Sequence, residues 1–142
     1  MAIASLAQRT TTFTATTAAC VEWRTTAGVK ATVLEIGYIS ATATAQQIGL
    51  GRPQAIGVTP VNVLFQRDDS ADPACVTAGS LSWATSPTVP LIYHRRANFA
   101  AALGAGILWT FPRGLRIPVS SSLVIWNIST TVASDVHCVI DE

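Results

Sequence analysis

The chain has 142 residues, of which 49% are hydrophobic and only 12% are charged, and its formal net charge is +1. This balance excludes an intrinsically disordered chain, and the near-zero charge excludes a global field that attracts nucleic acid or an anionic membrane. Soluble domains carry roughly 25% charged residues, so a monomer of this chain would have few charges to solvate its surface. We therefore expect a homo-oligomer, and a trimer in particular, whose subunits cover part of one another.

The chain divides into an arm and one domain. Residues 1–9 carry few apolar side chains and little charge, and no partner strand is evident for them, so we interpret them as an N-terminal arm that orders on a neighbouring subunit. Residues 10–142 show no linker or internal repeat, which predicts a single domain large enough to bury a core. No stretch approaches the ~20 apolar residues of a membrane-spanning helix, and no signal peptide is evident.

Four segments in the first half of the chain have the β-branched composition or the alternation of strands. They are residues 10–26, 30–40, 48–50 and 61–66. The alternation is clearest in the second of them, where Leu34, Ile36 and Tyr38 fall on one side. Glycines and prolines recur between residues 49 and 60, which excludes a long helix there.

Residues 91–93 and 107–111 predict two further strands. Residues 98–103 have the highest helix propensity in the chain, but glycines follow at once, so either one or two helical turns or a bent strand fits. Residues 112–114 (Pro-Arg-Gly) predict a tight turn between strands.

The last part of the chain is expected to form the centre of the fold. It contains three β-type runs, at residues 115–117, 123–128 and 135–140. The middle run is almost continuously apolar, so both of its faces must be covered, either within the molecule or with one face against a neighbouring subunit. The final run alternates, with Val136, Cys138 and Ile140 on one face. Short strands at regular spacing, with no long helix, predict an all-β fold: an antiparallel β-sandwich of about eight to ten strands, jelly-roll-like.

Side chains that carry chemistry are few. His94 and His137 are the only histidines, so a metal site built from several histidines and a carboxylate, the usual catalytic use of such a sandwich, has no ligand set. Asp68, Asp69 and Asp72 offer oxygen ligands for calcium, but their spacing matches no EF-hand and favours a charged turn.

Nucleophiles and phosphate-binding motifs are also missing from the sequence. Residues 120–122 are serines without the surroundings of a nucleophile elbow. Cys20, Cys75 and Cys138 are odd in number and widely spaced, which predicts buried thiols and no disulfide. The glycines match no phosphate-binding motif. We therefore predict no catalytic, cofactor-binding or metal-binding residue, no cofactor, and no enzymatic activity.

Four segments resemble a known family. They are VLEIG (33–37), IGLGRP (48–53), GILWTFP (106–112) and IPVSSSLVIWN (117–127). Together they resemble structural proteins of tailed-bacteriophage virions, of the jelly-roll head-decoration or capsid-cement kind. The resemblance implies a trimer or other symmetric cluster that sits on the capsid and reinforces it. It also implies the major capsid protein or other virion proteins as partners, no nucleic-acid or membrane partner, and a place in the virion after assembly in the host cytoplasm.

Two other functions stay open at this stage. A carbohydrate-binding sandwich module, on a phage fibre or another surface appendage, would use tryptophans to stack on sugars. The chain has four of them, Trp23, Trp83, Trp109 and Trp126. An enzyme on a β-sandwich is the remaining alternative.

Overall fold

The structure is a computed structural model that describes residues 2–13, 15–129 and 132–142, and these residues form strands and no helix. The strands are β1 (Ile3–Arg9), β2 (Ala19–Arg24), β3 (Ala31–Ser40), β4 (Gln46–Gly51), β5 (Val58–Leu64), β6 (Gln66–Arg67), β7 (Ala78–Thr85), β8 (Tyr93–Phe99), β9 (Gly106–Ile117), β10 (Ser122–Asn127) and β11 (Ser134–Asp141). They build two antiparallel sheets, in the orders β6-β1-β11-β3-β9 and β5-β7-β2-β10-β4-β8.

Eight of the strands follow the pairing of a jelly roll. β1 pairs with β11, β2 with β10, β3 with β9, and β4 with β8, each antiparallel. Setting β5 to β7 aside, the first strand meets the last, the second meets the last but one, and so on, as in a long hairpin rolled into two sheets. The predicted antiparallel, jelly-roll-like β-sandwich is confirmed.

The other three strands form an insertion between β4 and β8. β5 pairs with β7 at one edge of the six-stranded sheet, and β6 pairs with β1 at one edge of the five-stranded sheet. The buried side chain of Phe65 joins β5 to β6, so the insertion spans one side of the sandwich. The other side is bounded by β8 and β9, the opposite edges of the two sheets.

The core lies between the sheets and is built from large apolar side chains. Trp23, Ile36 and Ile125 are among those with no more than 1% exposure, and burying such a side chain contributes roughly 1.5–3 kcal/mol. The rings of Tyr38 and Phe99 stack with centroids 5.8 Å apart, which ties β3 to β8 across the two sheets. Burial raises the pKa of Tyr38 to about 12, so its hydroxyl stays protonated.

Both faces of β10 are covered within the molecule, the first of the two alternatives that its composition allows. Leu123 and Ile125 belong to the main core. Val124 and Trp126 face the opposite way and form a second cluster with Ala19. The side chains packed on that cluster are Trp83, Val89 and Tyr93. The insertion and the chain after it therefore cover the outer face of this sheet.

The prediction of a separate arm over residues 1–9 is wrong. Ile3–Arg9 is strand β1, which pairs along its full length with β11. Ala4 and Leu6 are buried in the core. The strand escaped detection because Ala4, Ser5, Ala7 and Gln8, four of its seven residues, carry little β propensity.

Residues 112–114 do not form the predicted turn between two strands. β9 runs through them, with Thr110 opposite Glu35 and Leu115 opposite Val33. Residues 111–114 therefore bulge out opposite one residue of β3. Gly114 adopts a positive φ of 68° there, a conformation that glycine takes at little cost. Of the two alternatives for residues 98–103, the strand is correct for the first two residues, because β8 continues to Phe99.

Candidate interaction surfaces

The predicted acidic residues form a charged turn at the edge of the insertion. Asp68 Oδ1 accepts a hydrogen bond from Ser5 Oγ at 2.8 Å, and Asp69 Oδ1 accepts one from the Ala71 amide at 2.8 Å. Within the part of the chain that the structure describes, no three His, Cys, Asp or Glu side chains lie close enough to hold a metal ion. We name residues 68–72 the acidic loop.

Ser122 and the three cysteines are withdrawn from solvent. Ser122 is fully buried at the start of β10. Cys20, Cys75 and Cys138 are all buried, as predicted. Burial, and next the carboxylate of Glu142, raise the pKa of Cys75 to about 12, so its thiol is not a ready nucleophile.

The tryptophans that a sugar-binding function would use are withdrawn from solvent. Trp23, Trp109 and Trp126 are at most 8% exposed. Trp83 is partly buried, and its Nε1 donates a hydrogen bond to Oε2 of the buried Glu22 at 2.6 Å. These rings hold the sandwich together and its covering segment in place, and of the four only Trp83 keeps part of its surface exposed.

An open groove of about 430 Å³ lies between the edge strands β8 and β9, lined by His94, Arg95 and residues 110–115. We name it the arginine groove. Arg95 lies over the ring of Phe111, 5.9 Å from its centroid, which ties the two sheet edges together and holds the guanidinium at the groove wall. Arg113 is exposed on the bulge of β9.

Positive charge concentrates around this groove. Arg95 and Arg113 line it, and Arg52 and Arg116 lie just after β4 and on β9. The guanidinium of Arg96 lies instead over the ring of Tyr93, on the outer face of the six-stranded sheet. Arg52 Nη2 donates a hydrogen bond to the Arg116 carbonyl at 2.7 Å. The pKa of His94 is lowered by burial and next by the charges of Arg52 and Arg95, which places three basic side chains close together.

No carboxylate neutralises the groove within the described chain. The ion pairs among the described residues join Arg9 to Asp135, Arg24 to Glu22 and His137 to Glu35. None of them lies in the groove. The sequence explains why: residues 73–134 contain no aspartate or glutamate. The lack of acidic residues in this stretch is visible in the sequence, but the sequence analysis considered only the net charge of the whole chain, which is +1.

A second open groove, of about 440 Å³, lies on the outer face of the five-stranded sheet. His137 Nε2 lies 3.0 Å from Glu35 Oε1 there. The imidazole ring lies over Gly37, where a Cβ atom would come within 2.1 Å of His137 Cε1. Exposed Ile39 and Leu108 border the pair. One histidine and one carboxylate are too few for a metal centre, so this pair cross-links β11 to β3.

The chain end is fixed by a cluster of donors. The carboxylate of Glu142 accepts hydrogen bonds from the Val76 and Thr77 amides, both at 2.8 Å, and from the Thr77 hydroxyl. Burial alone would raise its pKa, but these hydrogen bonds outweigh burial and lower it. This contact secures β11 to the segment between β6 and β7.

Comparisons with protein-family models, with curated proteins and with solved structures find no match to this chain. The described residues include no helix that is long and apolar enough to cross a membrane.

Proposed function

We propose that the chain is a non-enzymatic structural subunit of a tailed-phage virion, a head-decoration or cement protein that forms homo-oligomers, trimers in particular, and binds the capsid surface. The observation that carries this proposal is strand β5. Val58, Val61, Val63 and Leu64 are 46–66% exposed, on both faces of an edge strand. An apolar edge of this kind invites pairing and aggregation unless a partner covers it.

Only part of β5 is protected against strand addition. Pro60 and the register shift next to it interrupt the first half of the strand, and both features block pairing by another chain. Residues 61–64 have neither protection nor charge. A subunit that is always assembled can keep such an edge, whereas a free monomer would expose it to aggregation.

The sequence resemblance to decoration proteins also supports this proposal. Its four segments fall largely within β3, β4, β9 and β10, which are framework strands of the sandwich. The jelly roll is used by viral capsid proteins but also by lectins and cupins, so the fold alone does not decide function. The buried tryptophans weigh against the lectin-like alternative.

Binding to phage heads tests the proposal. Heads assembled from the major capsid protein encoded in the same genome are mixed with the purified chain and sedimented, with heads from an unrelated phage as the control. We expect saturable co-sedimentation with the matching heads only. Absence of binding at micromolar concentration, or a genome without a capsid gene, would overturn the proposal; selective binding to a glycan array would favour the carbohydrate-binding alternative.

A further inference from the structure

We propose that the arginine groove of one copy receives the acidic loop of the next copy, so that the subunits assemble head to tail into a closed ring. This inference rests on the proposed function for its oligomer and names the contact that builds it. The partner is a second copy of this chain, and the complementary charges lie on opposite sides of one molecule.

The two surfaces bound opposite edges of the same sheet. In the order β6-β1-β11-β3-β9, the acidic loop follows β6 directly and the arginine groove is walled by β9. Four strand spacings separate these edges, about 19 Å at ~4.8 Å each. They are too far apart to meet within one molecule, so the charges are left for other molecules.

The two surfaces also adjoin one row of cross-strand neighbours. Across the sheet, Arg67 is opposite Ala4, Ala4 opposite Ile140, Ile140 opposite Val33, and Val33 opposite Leu115. Arg67 immediately precedes the acidic loop, and Leu115 lines the arginine groove. A ring whose axis runs along the strands needs its two contact surfaces at equal height, since each subunit is related to the next by rotation alone.

The chemistry of the two surfaces matches. Asp68 and Asp69 are exposed, and the hydrogen bonds described above involve only Oδ1 of each. Arg95 and Arg113 are exposed and lack a carboxylate partner among the described residues. Guanidinium and carboxylate groups form bidentate hydrogen bonds. Such a contact is heterologous, which gives a ring when the rotation closes.

The edge of β5 extends this contact on the acidic side. β5 and β6 are joined through Phe65 and lie on one side of the sandwich. The exposed valines of β5 therefore face the same neighbour as the acidic loop. Apolar burial supplies affinity there, while the charges select the orientation and speed the encounter.

Charge reversal tests the contact. Three variants are compared with the wild type by light scattering at micromolar concentration: D68K/D69K, R95E/R113E, and the swapped variant that carries all four changes. We expect each of the first two to raise the dissociation constant of the oligomer ~100-fold or more, because like charges then meet. The swapped variant restores opposite charges and is expected to regain the wild-type mass.

Controls separate assembly from folding and from charge alone. K30E reverses the charge of an exposed residue that does not line the groove. The single variant R113E makes the same reversal at a residue that does, so only R113E is expected to weaken the oligomer. Melting curves of all variants report whether the sandwich is intact. A folded swapped variant that stays monomeric would overturn the proposal, as would an oligomer that persists in both reversed variants.

The wild-type result distinguishes this inference from the proposed function. A wild-type monomer that still binds phage heads would overturn the ring contact and the oligomer, and would leave the proposed binding to the capsid standing. If the oligomer responds to the charge reversals as expected but binds no heads, the ring contact stands and the decoration function is overturned. If the wild type is monomeric and short duplex DNA binds it but not R95E/R113E, the groove takes a polyanion and the ring contact is wrong.

Discussion

Replacing Trp126 tests how the six-stranded sheet is covered. The side chain is fully buried on the outer face of β10, in the cluster that the insertion covers. Truncation of a buried tryptophan to alanine costs about 3–5 kcal/mol, a large part of the ~5–15 kcal/mol that stabilises a domain. For a chain of this length each kcal/mol shifts the melting temperature by roughly 3–5 °C, so we expect W126A to melt about 10–25 °C lower.

A phenylalanine variant separates packing from polarity at the same position. Trp126 Nε1 is buried without a hydrogen-bond partner, and such a group costs about 1–3 kcal/mol. W126F removes this donor and keeps most of the ring, so we expect it to melt much closer to the wild type than W126A does. Calorimetry on the three proteins at one concentration measures the difference. Nearly unchanged melting of W126A would refute the idea that this face is a packed part of the fold.

Three further predictions concern the strand β1, the chain end and the outer sheet face. Deletion of residues 1–8 removes the strand paired along β11, so the truncated protein is expected to be unfolded by circular dichroism; native melting would show that β1 is dispensable. Because the folded pKa of Glu142 lies below its ordinary value of 4.5, its carboxylate stabilises the fold above about that pH and this contribution is lost as pH falls through the folded pKa. E142Q is therefore expected to lower stability at neutral pH and to flatten the acid limb of the stability curve; a parallel curve would contradict this. G37A places a methyl group against the ring of His137 and is expected to lower the free energy of unfolding by ~1–3 kcal/mol. Removing the ring in G37A/H137A should restore part of that free energy in urea titrations, and no restoration would refute the contact.

The strands with strong patterns could be predicted from the sequence because their burial follows from local chemistry. The alternation of Val136, Cys138 and Ile140 marks one buried face, and the apolar run in β10 marks a strand covered on both faces. β1 could not be predicted, since its small residues become core residues only through pairing with β11, at the far end of the chain. The bulge at residues 111–114 has the same cause: proline and glycine are typical of turns, and only the pairing with β3 shows that the strand continues.

The interaction surfaces depend even more on long-range structure. The acid-free stretch from residue 73 to 134 is visible in the sequence. That Arg52 joins Arg95 and Arg113 around one groove follows only from the pairing of β4 with β8 and from the adjoining edge of β9. The row of neighbours that leads from Arg67, beside the acidic loop, to Leu115 in the arginine groove depends on the register of four strand pairs, which no local pattern records.

The most direct measurement of the central claim is a cryo-electron microscopy reconstruction of phage virions assembled from a genome that encodes this chain. We expect the jelly roll on the outer surface of the head, in symmetric clusters, with the acidic loop of each copy against the arginine groove of the next. A head surface that lacks this density in virions made with the intact gene would contradict the claim that the chain is a decoration protein.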